Sequence, residues 1–389
     1  MQNIEKSKNK KTAVVVGAGL SGSVAARILA ENGYNVTVYE KRDAPGGNAY
    51  DYVDENGILV QKYGPHIFHT SDKSVFDFLS RFTDWFPYNH KVKGNINGKL
   101  VPIPFNLTSL HELFNKTKAD EIENVLLSEV GAEKKVPVLS LKDHKNPAVR
   151  ELAKYVYDNV FYKYTLKQWG FKPEELGGFV TARVPVSVSY KDGYFSDEYQ
   201  FQPTSGFTSM IINMLSHENI TVKTETNALG HIMISDGKIY LDGEIYSSPV
   251  IYTGRLDELF NFELGKLDFR SLDFKSETYK TGSYQPAAVV NYNTSEDYTR
   301  ISEFKKFTME QKAAPEDITV IIKEYPKPCE DNDVPYYPVP VKAAEDKYLL
   351  YKEKADKIHN LYLTGRLALY KYVNMDKAVA MAAELVKDF

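Results

Sequence analysis

The sequence predicts an α/β protein built on a discontinuous, Rossmann-like dinucleotide-binding domain, and three neighbouring features predict it. A β-branched run, Ala13 to Val16, ends in the glycine turn Gly17-Ala18-Gly19-Leu20-Ser21-Gly22. Helical spacing from Val24 to Leu29 follows and stops at Asn32-Gly33. The next apolar segment, Val36-Thr37-Val38-Tyr39, closes on Glu40. In this order the first glycine permits a tight turn, the second lets backbone approach a pyrophosphate, and the third lets helix pack on strand. The first amides of the helix then face the phosphates. Glu40, about twenty residues on, is placed to accept hydrogen bonds from a ribose and to repel a 2′-phosphate, which favours a plain adenosine dinucleotide over NADP.

The rest of the chain decides how that domain is interrupted. Gly46-Gly47-Asn48 and Tyr63-Gly64-Pro65-His66 read as loops that close over a cofactor. Residues 84–105 alternate apolar and polar around Asn97-Gly98, the pattern of a β-hairpin. From Ser109 to Trp169 the spacing is helical. Val180 to Tyr199 and Lys275 to Tyr325 are β-branched and tyrosine-rich, which predicts an antiparallel sheet. Phe207 to Leu215 has helical spacing, and Ile220-Thr221-Val222 reads as a strand returning to the nucleotide domain. Near the end, Ile358 to Arg366 reads as strand and turn, and Met375 to Val386 as an alanine-rich helix. A strand ending at Gly365 belongs beside the first glycine loop.

Composition sets the class. With 389 residues, 43% of them hydrophobic, the chain can bury a large core in two or three domains. A net charge of -4 gives no support to general nucleic-acid binding. The single cysteine, Cys329, rules out an internal disulfide framework. The lysine-rich start, residues 1–11, predicts a disordered tail and a cytoplasmic protein without membrane anchor. His66 and His69 lie three apart without further ligands nearby in sequence, so no metal is expected.

Several motifs carry a resemblance. GAGLSG is followed by GGNAYD, YGPHIFHT, YTLKQWG, ARVPVSVSY, DGYFSDEYQ, AVVNY, YTRISE, PYYPV and TGRLALYKYVNM. Together, from Thr12 to the last helix, they resemble the UDP-galactopyranose mutase family, which includes dTDP-fucopyranose mutase. The resemblance implies an FAD-binding domain (12–83, 203–270, 341–389), a helical lid domain (107–175) and an antiparallel sheet substrate domain (84–106, 176–202, 271–340), usually as a homodimer. It places FAD on Gly17, Gly19, Leu20, Ser21 and Gly22, with Glu40 and Lys41 at the ribose and Val222 nearby. Gly47, Asn48, His66, Gly365, Arg366, Asn374 and Met375 would line the rest.

The implied reaction exchanges six- and five-membered sugar rings with no net redox, using reduced FAD. Flavin N5 attacks the anomeric carbon and displaces the nucleoside diphosphate; the sugar adduct opens and recloses through O4. Arg183 and Arg300 match the family's diphosphate clamps, with His66 beside the flavin. Tyr194, Tyr337 and Tyr372 match phosphate-contacting tyrosines, and Phe161, Tyr164, Thr165 and Trp169 the lid side of the nucleotide, with Trp169 stacked near the base. Asn374 is assigned to both cofactor and substrate. Four positions depart from the galactose pattern: Phe201, Pro286, Phe304 and Asn374. Such changes are what a 6-deoxy sugar would produce, so a dTDP-linked fucose and a UDP-linked galactose stand level. An FAD amine oxidase-like enzyme and a non-catalytic nucleotide-binding module are the competing readings, the first because it shares the glycine fingerprint.

Overall fold

Five parallel strands form the centre of the nucleotide domain, in the order Ile220–Lys223, Asn35–Tyr39, Thr12–Val16, Val250–Tyr252 and Leu361–Leu363. The computed structural model describes residues 11–176, 185–308 and 315–389. Three of the five strands come from beyond residue 219, so the chain leaves this sheet and re-enters it. Alternation along the first two strands explains why both faces are covered. Ala13, Val15, Val36 and Val38 point to the helices Leu20–Glu31, Gly206–Leu215 and Met375–Val386, while Val14, Tyr39, Val250 and Tyr252 point to a second cluster with Tyr351 and Ile358.

The hairpin around Asn97-Gly98 forms as the spacing predicts, from Val92–Ile96 and Lys99–Ile103. Asn97 and Gly98 both take positive φ, 52° and 86°, the conformation a two-residue hairpin turn demands. This hairpin ends a seven-stranded sheet whose order runs on through Val289–Tyr292, Arg300–Glu303, Thr319–Pro328, Phe269–Tyr279 and Tyr337–Pro338. The expectation of a purely antiparallel sheet is corrected at one seam. Val92–Ile96 and Val289–Tyr292 run parallel, because the helical region intervenes between them and no tight turn joins them.

The segment 180–199 also departs from expectation. Residues 177–184 lie outside the described residues; beyond them Pro185–Ser187 pairs with Lys135–Pro137, within the helical region. Tyr199–Pro203 instead lies between Phe68–Thr70 and Trp85–Pro87 in a separate three-stranded sheet. β-propensity identifies strands but not their partners. Of the expected tail, residues 1–11, the first ten lie outside the described residues; the last, Lys11, is docked, its carbonyl accepting from Asn35 N at 2.8 Å.

The helical region consists of Leu107–Leu113, Lys116–Glu129 and Pro147–Val156, capped respectively by Asn106, Asn115 and Asn146 side chains. Pro147–Val156 then continues through a π-helical segment, Tyr157–Tyr162, into Lys163–Trp169. Such a segment shifts every following side chain around the helix axis, and here the shifted residues are those of YTLKQWG. Among the described residues no helix is long and apolar enough to cross a membrane.

Candidate active site

A cleft opens at the carboxyl ends of the parallel strands. Gly17, Gly19, Leu20, Ser21, Gly22, Glu40, Lys41, Gly47, Asn48, His66, Gly365, Arg366, Asn374 and Met375 all line it, bringing together residues from both ends of the chain. Close approach explains the glycines. A Cβ at Gly22 would stand 1.9 Å from the Gly17 carbonyl oxygen, and one at Gly47 would stand 2.8 Å from Gly19 Cα. Gly17 (φ 97°) and Gly47 (φ 56°) also need the left-handed region. Val222 does not line the cleft; its alternating position turns it onto the apolar cluster beneath the sheet.

Two helices present their amino ends at the cleft. Leu20–Glu31 starts after Gly19 and Met375–Val386 after Asn374, and neither cap residue supplies a side-chain bond to the first-turn amides. Those amides therefore remain available to an anion. Glu40 is buried, and its two carboxylate oxygens accept from Ala18 N (2.8 Å) and Arg42 N (3.0 Å). Each oxygen keeps a second lone pair for a ribose hydroxyl. Arg42 was not foreseen. It lies over the Tyr63 ring (4.3 Å to the centroid) and donates through Nη2 to Asn48, while its buried Nη1 has no protein partner. A buried donor without a partner, uncapped helix ends and a cradle that a Cβ would fill fit a dinucleotide pyrophosphate.

Beyond His66 and Arg366 lies a second group of residues, cationic and aromatic. His66 Nδ1 donates to Gly64 O at 2.9 Å, which fixes the tautomer and leaves Nε2 as an acceptor. Burial, aided by the Arg366 and Arg300 charges, pushes the His66 pKa down to about 4. Arg300 Nε donates to Glu324 Oε1 at 2.6 Å from the directly opposed position of the neighbouring strand. Burial alone would lower the Arg300 pKa, but the Glu324 carboxylate outweighs it and the guanidinium stays charged. Glu324 is fully buried, and burial raises its pKa against the pull of Arg300.

Tyr164 and Tyr337 lie within electrostatic range of this pair and Tyr194 within range of Tyr164, and burial raises the pKa of both Tyr164 and Tyr337, the latter up to about 12. Tyr337 and Tyr372 stack with centroids 5.3 Å apart, and the Arg366 guanidinium lies 5.3 and 5.0 Å from their rings. Trp169, 7% exposed, packs with Tyr337, Tyr372 and Phe171. Thr165 is buried on the same helix, and Phe161 is buried in the π-helical segment before it. Arg183 lies outside the described residues.

The departures from the galactose pattern are redistributed. Phe304 is fully buried in an apolar cluster with Phe307, Val320 and Ile322. Phe201 packs in an aromatic cluster with Phe76 and Trp85, and Pro286 is exposed. Of the four, Asn374 lines the cofactor cleft.

Fold and cleft together define a dinucleotide-binding α/β enzyme with a cationic, aromatic group of residues next to its cofactor site. The family model described as UDP-galactopyranose mutase matches residues 159–372, and a NAD(P)-binding Rossmann-like model matches residues 15–82. The chain is 36% identical to a probable UDP-galactopyranose mutase of Klebsiella pneumoniae, over 98% of this chain and 95% of the relative. It is also 32% identical to a dTDP-fucopyranose mutase of Escherichia coli, over 95% of this chain and 96% of that one. A crystal structure of reduced UDP-galactopyranose mutase shares the fold with a TM-score of 0.73 at 18% identity, covering 97% of this chain and 95% of that chain. The chain belongs to the UDP-galactopyranose mutase family. It is an isomerase, and its cofactor is FAD.

Proposed function

We propose that the chain interconverts the pyranose and furanose rings of a nucleotide-linked hexose of galacto configuration, with or without its 6-hydroxyl. The observation that carries this reading is Arg300, held by buried Glu324 beside His66 and Arg366 at the inner end of the cofactor cleft. An oxidase acting on amines has no use for a charged guanidinium fixed there. A reaction that must release and recapture a diphosphate does.

Bound reduced FAD would supply an electron-rich ring nitrogen as the nucleophile for the anomeric carbon. Arg300 holds the departing diphosphate through the guanidinium nitrogens that Glu324 does not occupy. Tyr194, Tyr337 and Tyr372 border the same chamber as hydroxyl donors, the raised pKa of Tyr337 keeping its proton in place. Arg183 is assigned to the same diphosphate on sequence grounds. The anomeric bond to the diphosphate breaks with its electron pair on the diphosphate; the ring C1–O5 bond then breaks as O5 gains a proton, C1–O4 forms as O4 loses one, and the diphosphate oxygen returns to C1, so electrons and protons balance. His66, neutral, borders the flavin without adding charge beside Arg366. The helix bearing Tyr164, Thr165 and Trp169 forms the wall that keeps water from the opened sugar.

The test uses the dithionite-reduced protein incubated separately with UDP-galactofuranose and dTDP-D-fucofuranose, followed by chromatography. Appearance of either pyranose supports the reading and names the sugar. Turnover of neither, with FAD bound, overturns it.

A further inference from the structure

The aromatic helix Lys163–Trp169 is fastened at two points outside the chamber. Lys167 Nζ donates to the carbonyls of Tyr292 (2.6 Å), Glu296 (2.9 Å) and Tyr298 (3.1 Å). An ammonium has three donors, so all are committed. Tyr292 ends the strand Val289–Tyr292, and Glu296 and Tyr298 lie in the loop that leads from it directly into Arg300.

Arg270 supplies the second fastening, at the same end of the helix. Its Nε donates to Gln168 O (3.0 Å) and its Nη2 to Lys167 O (3.3 Å), carbonyls in the last turn of the helix. These lack intrahelical partners and carry the negative end of the dipole. Arg270 itself lies directly across from Tyr337 in the adjoining strand. Gly170, left-handed at φ 76°, ends the helix against it: a Cβ there would stand 3.1 Å from Arg270 Nη1. One cation therefore ties the helix to the strand of Arg300, and the other ties it to the strand of Tyr337.

We infer that Lys167 and Arg270 are positioning residues, a two-point clasp that registers the aromatic helix against Arg300 and Tyr337 and so sets how tightly the site grips a nucleotide. The choice of ligand rests on the proposed function; the clasp does not. Removing the ammonium frees three carbonyls and lets Trp169 drift, while the groups that meet the reacting ring stay where they are.

The chain has two tryptophans, Trp85 and Trp169. In a Trp85→Phe holoenzyme, Trp169 is the only tryptophan reporter. Adding Lys167→Met shifts Trp169 emission to the red and raises its acrylamide quenching, and KM for the nucleotide sugar rises about tenfold with kcat within about twofold, the pattern of lost ground-state grip. Lys167→Arg recovers most of both changes. If Lys167→Met does not retain FAD, Arg270→Lys is read by the same measurements. Emission, quenching and KM that all match the Trp85→Phe parent, in a variant with its flavin spectrum intact, overturn the clasp. A parent without turnover defeats the proposed function instead, and Trp169 emission and quenching still decide the clasp.

Discussion

Arg300 gains its position from a register rather than from its neighbours in sequence. It stands directly opposite Glu324 across an antiparallel pair, and the carboxylate has no other salt-bridge partner among the described residues. Arg300→Ala is expected to keep FAD and to lower kcat/KM by the equivalent of about 2 to 5 kcal/mol, because it removes the diphosphate charge partner. It also leaves a buried carboxylate alone, so the variant melts lower than the parent, whereas Arg300→Ala with Glu324→Gln regains much of that loss without regaining activity. Steady-state kinetics and thermal melts check both. Equal turnover in Arg300→Ala would remove the residue from the mechanism. A second residue-level expectation concerns acid. The histidines His66 and His90 have pKa values pushed down to about 4 and about 3, first by burial and then by nearby Arg366 for His66 and Arg300 for both. Between those values and the ordinary histidine value, the unfolded chain binds protons that the folded one refuses, so stability falls as pH drops below 6.5. Urea melts of the apoprotein at pH 5 and 6 should lose about one proton of that dependence in His90→Gln; an unchanged slope would show that His90 is not held neutral. Glu40 and the glycines were legible from spacing alone. Arg42 and Glu324 were not: Arg42 sits in an ordinary charge run, and Glu324 finds its partner only through strand register.

At the scale of elements, the turn from first strand to first helix tolerates no side chain at its third glycine. Gly22→Ala would force a methyl group to 1.9 Å from the Gly17 carbonyl oxygen, backbone that cannot swing aside. The expected outcome is a protein purified with less than about a tenth of its flavin, read from the ratio of visible to ultraviolet absorbance, while Gly33→Ala, whose Cβ would meet nothing within 4 Å, keeps its flavin at some cost to the helix end. The helix Met375–Val386 and the hairpin at Asn97-Gly98 fell where spacing and turn chemistry put them. The π-helical segment Tyr157–Tyr162 did not announce itself, because a one-residue shift in hydrogen bonding leaves the apolar spacing nearly intact. Phe304 differs from the galactose pattern beside a motif, and its side chain is packed in the apolar core, a placement that local sequence did not signal.

For the whole molecule, the sequence conveyed that the nucleotide domain is interleaved but not how the inserted segments pair. The parallel seam between Val92–Ile96 and Val289–Tyr292 joins residues roughly two hundred positions apart, beyond the reach of any local pattern. The same interleaving has a consequence during synthesis. The strand Leu361–Leu363 and the helix Met375–Val386 complete a sheet and a cleft begun at Thr12–Val16, so both leave the ribosome after the other four strands of that sheet. Until then the nascent chain holds an open parallel strand edge at Val250–Tyr252 and an uncovered apolar face on Leu20–Glu31. A chain truncated after residue 357 is therefore expected to aggregate on translation and to bind no flavin, even though every glycine of its first loop is present. Recovery of a soluble yellow truncation would show that the first half of the domain folds without the second.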